Sequence, residues 1–269
     1  MELNLIRKMQ NNPPKTVPTH TYWWIMPLVS LLALLAWDLF TRYGSLPAFI
    51  LPSPRLVFER FLRAISDGSL ARHSIITLLE VVLGLLSGTS LAVALGYLIA
   101  KSRLFERILS PFLVASQAVP IVAIAPLLVI WFGPGIFSKV LICALIVFFP
   151  VLVNTVVGIR AVPRSLNELM RSLRATRWQM LRLLEIPAAL PVFLGGLRIG
   201  ATLSVIGAVV GEFVGADRGL GFLINVGRGQ YDTALVFVAI FTLVALALSL
   251  YGVVVLLEKH LLAWQEPHQ

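Results

Sequence analysis

An all-α membrane protein with six transmembrane helices and a cytoplasmic helix-turn-helix loop is predicted by three features of this 269-residue chain. Hydrophobic residues make up 58% and charged residues 13%, with mean hydropathy +0.89, a balance outside the range of soluble globules. Six apolar runs approach or exceed the about 20 residues needed to cross about 30 Å of hydrocarbon. Between two of those runs lies a polar, arginine-bearing stretch at 165–191, SLNELMRSLRATRWQMLRLLEIPAALP.

The runs fall at 23–40, 75–100, 109–132, 136–157, 189–214 and 234–257. The first sits where a secretory leader would, but it ends in Trp37-Asp38-Leu39-Phe40 and has no small-x-small cleavage site. A retained span is therefore expected. The chain then divides into a cytoplasmic tail (1–22), the first span (23–40), an outer loop (41–74), a core with spans two to six (75–262) and a second tail (263–269). Within the outer loop, PRLVFERFLRAI at 54–65 spaces its apolar residues as an amphipathic helix lying on the interface. Lys and Arg placement orients the whole. With both termini cytoplasmic, 13 basic residues fall inside and eight, Lys139 among them, outside.

Rows of small residues mark the second and fifth spans. Gly84, Gly88, Ala92 and Gly96 form one; Gly196, Gly200 and Ser204, followed by Gly207, Gly211 and Gly215, form the other. Such rows let helix backbones approach closely, for packing or, alternatively, for direct solute contact. Pro120 and Pro126 in the third span and Pro150 in the fourth predict kinked or locally unwound helices. Gln117 and Asn154 lie in the same two spans. With Pro120 they are candidates for lining a solute path; for each amide the alternative is an interhelical hydrogen bond. Glu80, Arg198 and Glu212 would each cost about 2.5–3.5 kcal/mol at a helix centre, so all three are expected near span ends, relieved by water or headgroups. Glu212 joins the candidate path from the outer side.

Absences narrow the function. No G-x-x-x-x-G-K-[ST] phosphate loop, G-x-S-x-G or H-E-x-x-H occurs, so no catalytic residues are expected and the chain is not read as an enzyme. The single Cys143 and the scattered His20, His73, His260 and His268 offer no disulfide or metal site, and no cofactor is implied. A net charge of +9, with six of 22 basic residues in 160–182, suits anionic lipid or an acidic partner surface. No basic soluble domain exists to read nucleic acid. Carboxylates stacked through the bilayer and inverted repeats are missing too, which tells against a proton-driven carrier. The engine is expected on another subunit that docks on the polar loop. In that loop, Ser165 with Glu168 and Thr176 with Gln179 both fit the capping box, and Pro187 is expected to end the second helix.

Glu168-Leu-Met-Arg-Ser-Leu-Arg-Ala-Thr-Arg-Trp-Gln179, followed by Ile186-Pro187-Ala-Ala-Leu-Pro191, resembles the EAA loop of binding-protein-dependent ABC importer permeases. Leu51-Pro-Ser-Pro54, Gln117-Ala-Val-Pro120, Phe148-Phe-Pro150 with Asn154-Thr155, and Gly211-Glu-Phe-Val-Gly-Ala-Asp-Arg-Gly-Leu-Gly221 extend the likeness over about 51–262. Together they look like the nitrate/sulfonate/taurine branch, closest in appearance to riboflavin or thiamine-precursor permeases. The resemblance implies a type I ABC importer permease fold in a bacterial inner membrane. It also implies a second permease chain in a homodimer, two copies of an ATP-binding subunit and an extracellular solute-binding protein. Loop 160–187 would be the coupling element, docking through Glu168, Arg171, Arg174, Ala175, Arg177 and Trp178. Glu168 has an alternative role as a cap, the arginines as lipid-facing charges, and Trp178 as an interface anchor. Arg174 replaces the glycine usual at the turn, where a left-handed backbone costs a non-glycine residue about 1–2 kcal/mol. Either the turn differs here or contacts offset its strain. The solute implied is riboflavin or a related vitamin precursor; the alternatives are nitrate, taurine or aliphatic sulfonate. An ion-coupled secondary carrier and a membrane scaffold are the readings from other classes.

Overall fold

The computed structural model describes residues 25–44 and 47–265, and every regular element among them is helical. The 1–22 tail, the start of the first span at 23–24 and the last residues of the 263–269 tail lie outside the described residues. Two compact units divide the chain, Met1–Leu56 and Val57–Gln269. In the first, α1 (Ile25–Tyr43) covers most of the first apolar run. Asp38 pairs with Arg42 at 2.7 Å one turn along, and Trp37 Nε1 donates to Pro52 O at 3.1 Å. Helix α2 (Pro54–Ser66) is the expected amphipathic helix, with Val57 and Ala64 on its buried face.

The second unit continues through α3 (Ser69–Lys101), α4 (Arg103–Gln117), α5 (Ile121–Phe132), α6 (Ile136–Arg160), α7 (Arg164–Ser172) and α8 (Arg177–Met180). A π turn (Leu181–Glu185) leads into α9 (Ile186–Gly215), followed by α10 (Leu220–Gly229) and α11 (Thr233–Leu261). By length and composition α3, α6, α11 and the run Arg177–Gly215 are each able to cross a membrane. Helices α4 and α5, bent by 96°, make a fifth span when counted as one.

Helix α6 is central, packed against both α3 and α9. The small-residue rows produce this packing. A Cβ on Gly88 would lie 2.6 Å from Ala144 O, and one on Gly96 2.9 Å from Thr155 Cβ. From α9, a Cβ on Gly196 would lie 2.6 Å from Asn154 Cβ, and one on Gly207 2.8 Å from Cys143 Cα. At these four glycines the rows close on α6 too tightly for a side chain, which favours the packing reading of both rows.

The prolines behave differently from one another. Pro120 separates α4 from α5, whereas Pro126 and Pro150 lie inside α5 and α6 without interrupting them. Pro187 does not end its helix, contrary to expectation. The Ile186 N–H donates to Leu181 O, five residues back, within the π turn. A widened turn just before proline makes room for a ring that would otherwise clash with the carbonyl four residues back. Helix α8 therefore runs on into α9 as one 39-residue stretch.

Candidate functional site

The polar loop begins after Arg160 with Pro163 (φ −59°, ψ 137°) at the boundary of α7. Ser165 already lies inside the helix, so the box expected between Ser165 and Glu168 does not form. Glu168 is exposed and has no capping role. At the other end of α7, the Arg174 N–H donates to Arg171 O (2.9 Å) and the Ala175 N–H to Met170 O (3.0 Å). These are the paired bonds of a Schellman motif, which needs a left-handed residue just past the cap. Arg174 takes that place with φ 56°. The tight turn is thus kept with arginine where glycine is usual. Thr176 then opens α8 with the second expected box: Gln179 N–H donates to Thr176 Oγ1 (3.3 Å), and Thr176 N–H to Gln179 Oε1 (2.8 Å). Arg171, Arg174, Arg177 and Trp178 are exposed, and Ala175 is half-buried. Leu173 and Trp178, 68% and 64% exposed, add apolar surface to the basic one.

Arg174→Gly should stabilise the chain by about 0.5–1 kcal/mol, the left-handed cost less the greater backbone entropy of glycine. Thermal unfolding in detergent reads this as a raised midpoint. A lowered midpoint would mean that contacts of the arginine outweigh the strain.

Of the path candidates, Gln117 and Pro120 are exposed at the 96° corner between α4 and α5. Asn154 is half-buried; it donates to Pro150 O at 2.8 Å in its own helix and abuts Gly196. It makes no interhelical hydrogen bond among those of the described residues. Glu212 belongs to a buried cluster that sequence reasoning missed. Its carboxylate accepts from Thr77 Oγ1 at 2.6 Å and from the Gly221 N–H. Thr77 Oγ1 in turn accepts from the Leu220 N–H at 2.8 Å, and His73 Nδ1 accepts from the Gly219 N–H at 2.9 Å. The His73 ring stacks on Phe222 with centroids 5.7 Å apart. Residues Thr77, Glu80 and Glu212 are fully buried, and Lys139 is 3% exposed. Lys139 Nζ stands 3.7 Å from Glu80 Oε1, and among the described residues neither Glu80 oxygen has a hydrogen-bond partner.

This corrects two expectations. Glu80 and Glu212 are relieved by Lys139, Thr77 and backbone N–H groups, not by water or headgroups. Lys139 is not an outer-loop charge but a core residue one turn inside α6. Arg198 keeps a partly exposed side chain, as expected, and also pairs with Glu258 near the end of α11. The signal that could reveal the cluster is depth: the predicted 136–157 span already contained Lys139, and a buried ammonium requires a carboxylate at its level. The loop chemistry follows from Glu212. A Cβ on Gly219 would collide with its carboxylate, and Gly219 also adopts φ 110°, so the Gly-Leu-Gly sequence lets the loop wrap the acid. Among the described residues, no group of His, Cys, Asp and Glu side chains is arranged to hold a metal ion.

Residues 92–262 match the family described as binding-protein-dependent transport system inner membrane component. Over 240 residues the chain is 49% identical to the riboflavin transport system permease protein RibX of Chloroflexus aurantiacus, covering 89% of this chain and 90% of that one. Over 239 residues it is 37% identical to the formylaminopyrimidine transport permease protein ThiX of Halalkalibacterium halodurans, covering 89% and 95%. A chain of the methionine ABC transporter MetNI, solved in an inward-facing conformation, aligns with TM-score 0.64 at 18% identity over 73% of this chain and 97% of that one. That last likeness is one of fold.

Proposed function

Because this chain belongs to the family of binding-protein-dependent transport system inner membrane components, we propose that it forms the membrane path for riboflavin or a closely related vitamin precursor. It is a permease of an ABC importer and not an enzyme; such permeases work with a separate ATPase and a binding protein. The observation that carries the choice of solute is the 49% identity to RibX, sustained over 90% of that protein. In this reading α1 is the sixth span, both termini are cytoplasmic, and two copies of the chain pair above two ATP-binding subunits. Glu168, Arg171, Arg174, Ala175, Arg177 and Trp178 dock on the ATPase, supported by the exposed, twice-ordered turn they occupy. Closure of the ATPases draws these loops together and rocks the spans around the path. Gln117 and Pro120 line it at the exposed corner, whereas Asn154 serves packing and Glu212 anchors the 216–221 loop.

The test is uptake by proteoliposomes holding the permease, its ATP-binding subunit and its binding protein. ATP-dependent accumulation of labelled riboflavin, with none of taurine, nitrate or an alkyl sulfonate, is expected. Accumulation of one of those anions instead would overturn the solute. Uptake that persists without the ATPase, driven by a pH or sodium gradient, would overturn the importer reading of the site.

A further inference from the structure

The docking loop is bounded by two charged residues, Arg160 at the end of α6 and Glu185 at the end of the π turn. Both reach the same short segment. Arg160 grips Glu106 at two points, Nη1 to Oε1 and Nη2 to Oε2, each at 2.8 Å, and its Nη2 also donates to Ile99 O at 3.2 Å. Glu185, with a side chain only 4% exposed, pairs through Oε1 with Nζ of Lys101, the last residue of α3. Between Ile99 and Glu106 lies the corner where α3 passes into α4 through the single residue Ser102, whose Oγ accepts from the Phe105 N–H at 3.5 Å. Helix α4 then runs from this corner to the 96° bend beside Gln117 and Pro120.

The geometry points to the α3–α4 corner as the receiver of the docking loop's motion, with Arg160–Glu106 and Lys101–Glu185 as the positioning pairs that pass it along α4 to the bend. This rests on the docking reading above. Exposed ion pairs contribute little to stability, but a two-point guanidinium–carboxylate grip fixes orientation as well as distance. Glu185 Oε2 is buried without a hydrogen-bond partner among the described residues, and Glu185 helps to line a cavity of ≈ 600 Å³ with Tyr97, Ile159 and Phe193. Lys101 is thus the ion-pair partner of this carboxylate, and the π turn is tied to the corner through it. A displacement at either end of the loop moves the same six-residue corner. The rival route is the continuous helix Arg177–Gly215, which bypasses α4 altogether.

The test places a nitroxide label at Ser172→Cys in the loop or Ser116→Cys beside the bend, in the transporter assembled with its ATP-binding subunit in nanodiscs. Label mobility is compared with and without ATP plus vanadate. Both labels should respond when the links are intact. In Lys101→Ala/Glu106→Ala the Ser172 position should keep its response, while that at Ser116 falls by about fivefold or more, the lower end of typical coupling between sites. Lys101→Glu alone should lower the Ser116 response, and the exchange Lys101→Glu/Glu185→Lys, which re-forms that pair with charges swapped, should restore it. A full Ser116 response in the alanine variant would overturn the inference in favour of the continuous helix. Loss at both positions without rescue by the exchange would reduce the pairs to a structural role and also overturn it. No response at Ser172 with intact links would overturn the docking reading itself, and this inference with it.

Discussion

Lys139→Met is expected to destabilise the protein by about 3–5 kcal/mol, the cost of removing one partner from a buried ion pair. Methionine keeps an apolar stem as long as that of lysine out to the ε carbon and lacks the ammonium group, so the change is nearly one of charge alone. It leaves the carboxylates of Glu80 and Glu212 neighbouring each other in the core, where Lys139 is the ammonium that faces both. The three residues come from α3, α6 and α9, the helices that make the core, so the loss is felt where packing is densest. Glu80→Gln makes the opposite change. It leaves Lys139 balanced by Glu212 and should cost no more than about 1 kcal/mol, since an amide of the same shape replaces a carboxylate that had no hydrogen-bond partner. Combining Lys139→Met with Glu80→Gln should recover about 1–3 kcal/mol of the loss, as expected for residues in one network. Equilibrium unfolding in detergent measures all three. A Lys139→Met variant within about 1 kcal/mol of the parent would show that charge balance does not hold the core together.

The same cluster explains which parts of the molecule were legible in the sequence. Span positions follow from runs of apolar residues, a property each segment carries by itself. The Thr176–Gln179 box and the left-handed turn at Arg174 are equally local, and both are present. The Ser165–Glu168 box has the same sequence pattern, yet Pro163 starts the helix two residues earlier and takes the boundary for itself. Pattern alone does not rank two competing starts. Pro187 misled for a related reason: proline ends an α-helix of regular pitch, but a π turn before it changes the pitch. The depth of Lys139 calls for a carboxylate, but sequence does not single out Glu80, because their meeting depends on how α3 and α6 rotate against each other. That rotation is set by Gly84, Gly88 and Gly96, whose small-residue row was visible but whose partner helix was not.

Trp178→Ala is expected to weaken association with the ATP-binding subunit by about 30-fold, the equivalent of a hot-spot side chain worth about 2 kcal/mol. Trp178 lies on α8, held by the Thr176–Gln179 box, and 64% of its surface is free. A rigid, exposed aromatic ring loses little entropy on binding, which is why such residues dominate contact energetics. Leu173, 68% exposed across the Arg174 turn, adds neighbouring apolar area, and the exposed Arg171 and Arg177 add donors to the same surface. The alternative role for Trp178, an anchor among lipid headgroups, makes a different forecast. An anchor would leave subunit association unchanged and lower stability in bilayers instead. Thr176→Ala separates the two further. It removes the cap, worth about 1 kcal/mol, and frays α8 without deleting the ring. If Trp178 docks on the ATPase, fraying should weaken association by about fivefold, because the ring is no longer presented in one orientation. If it anchors in lipid, a mobile ring still finds the interface and association is untouched. Titration of the permease in nanodiscs with labelled ATP-binding subunit reads both variants on one scale.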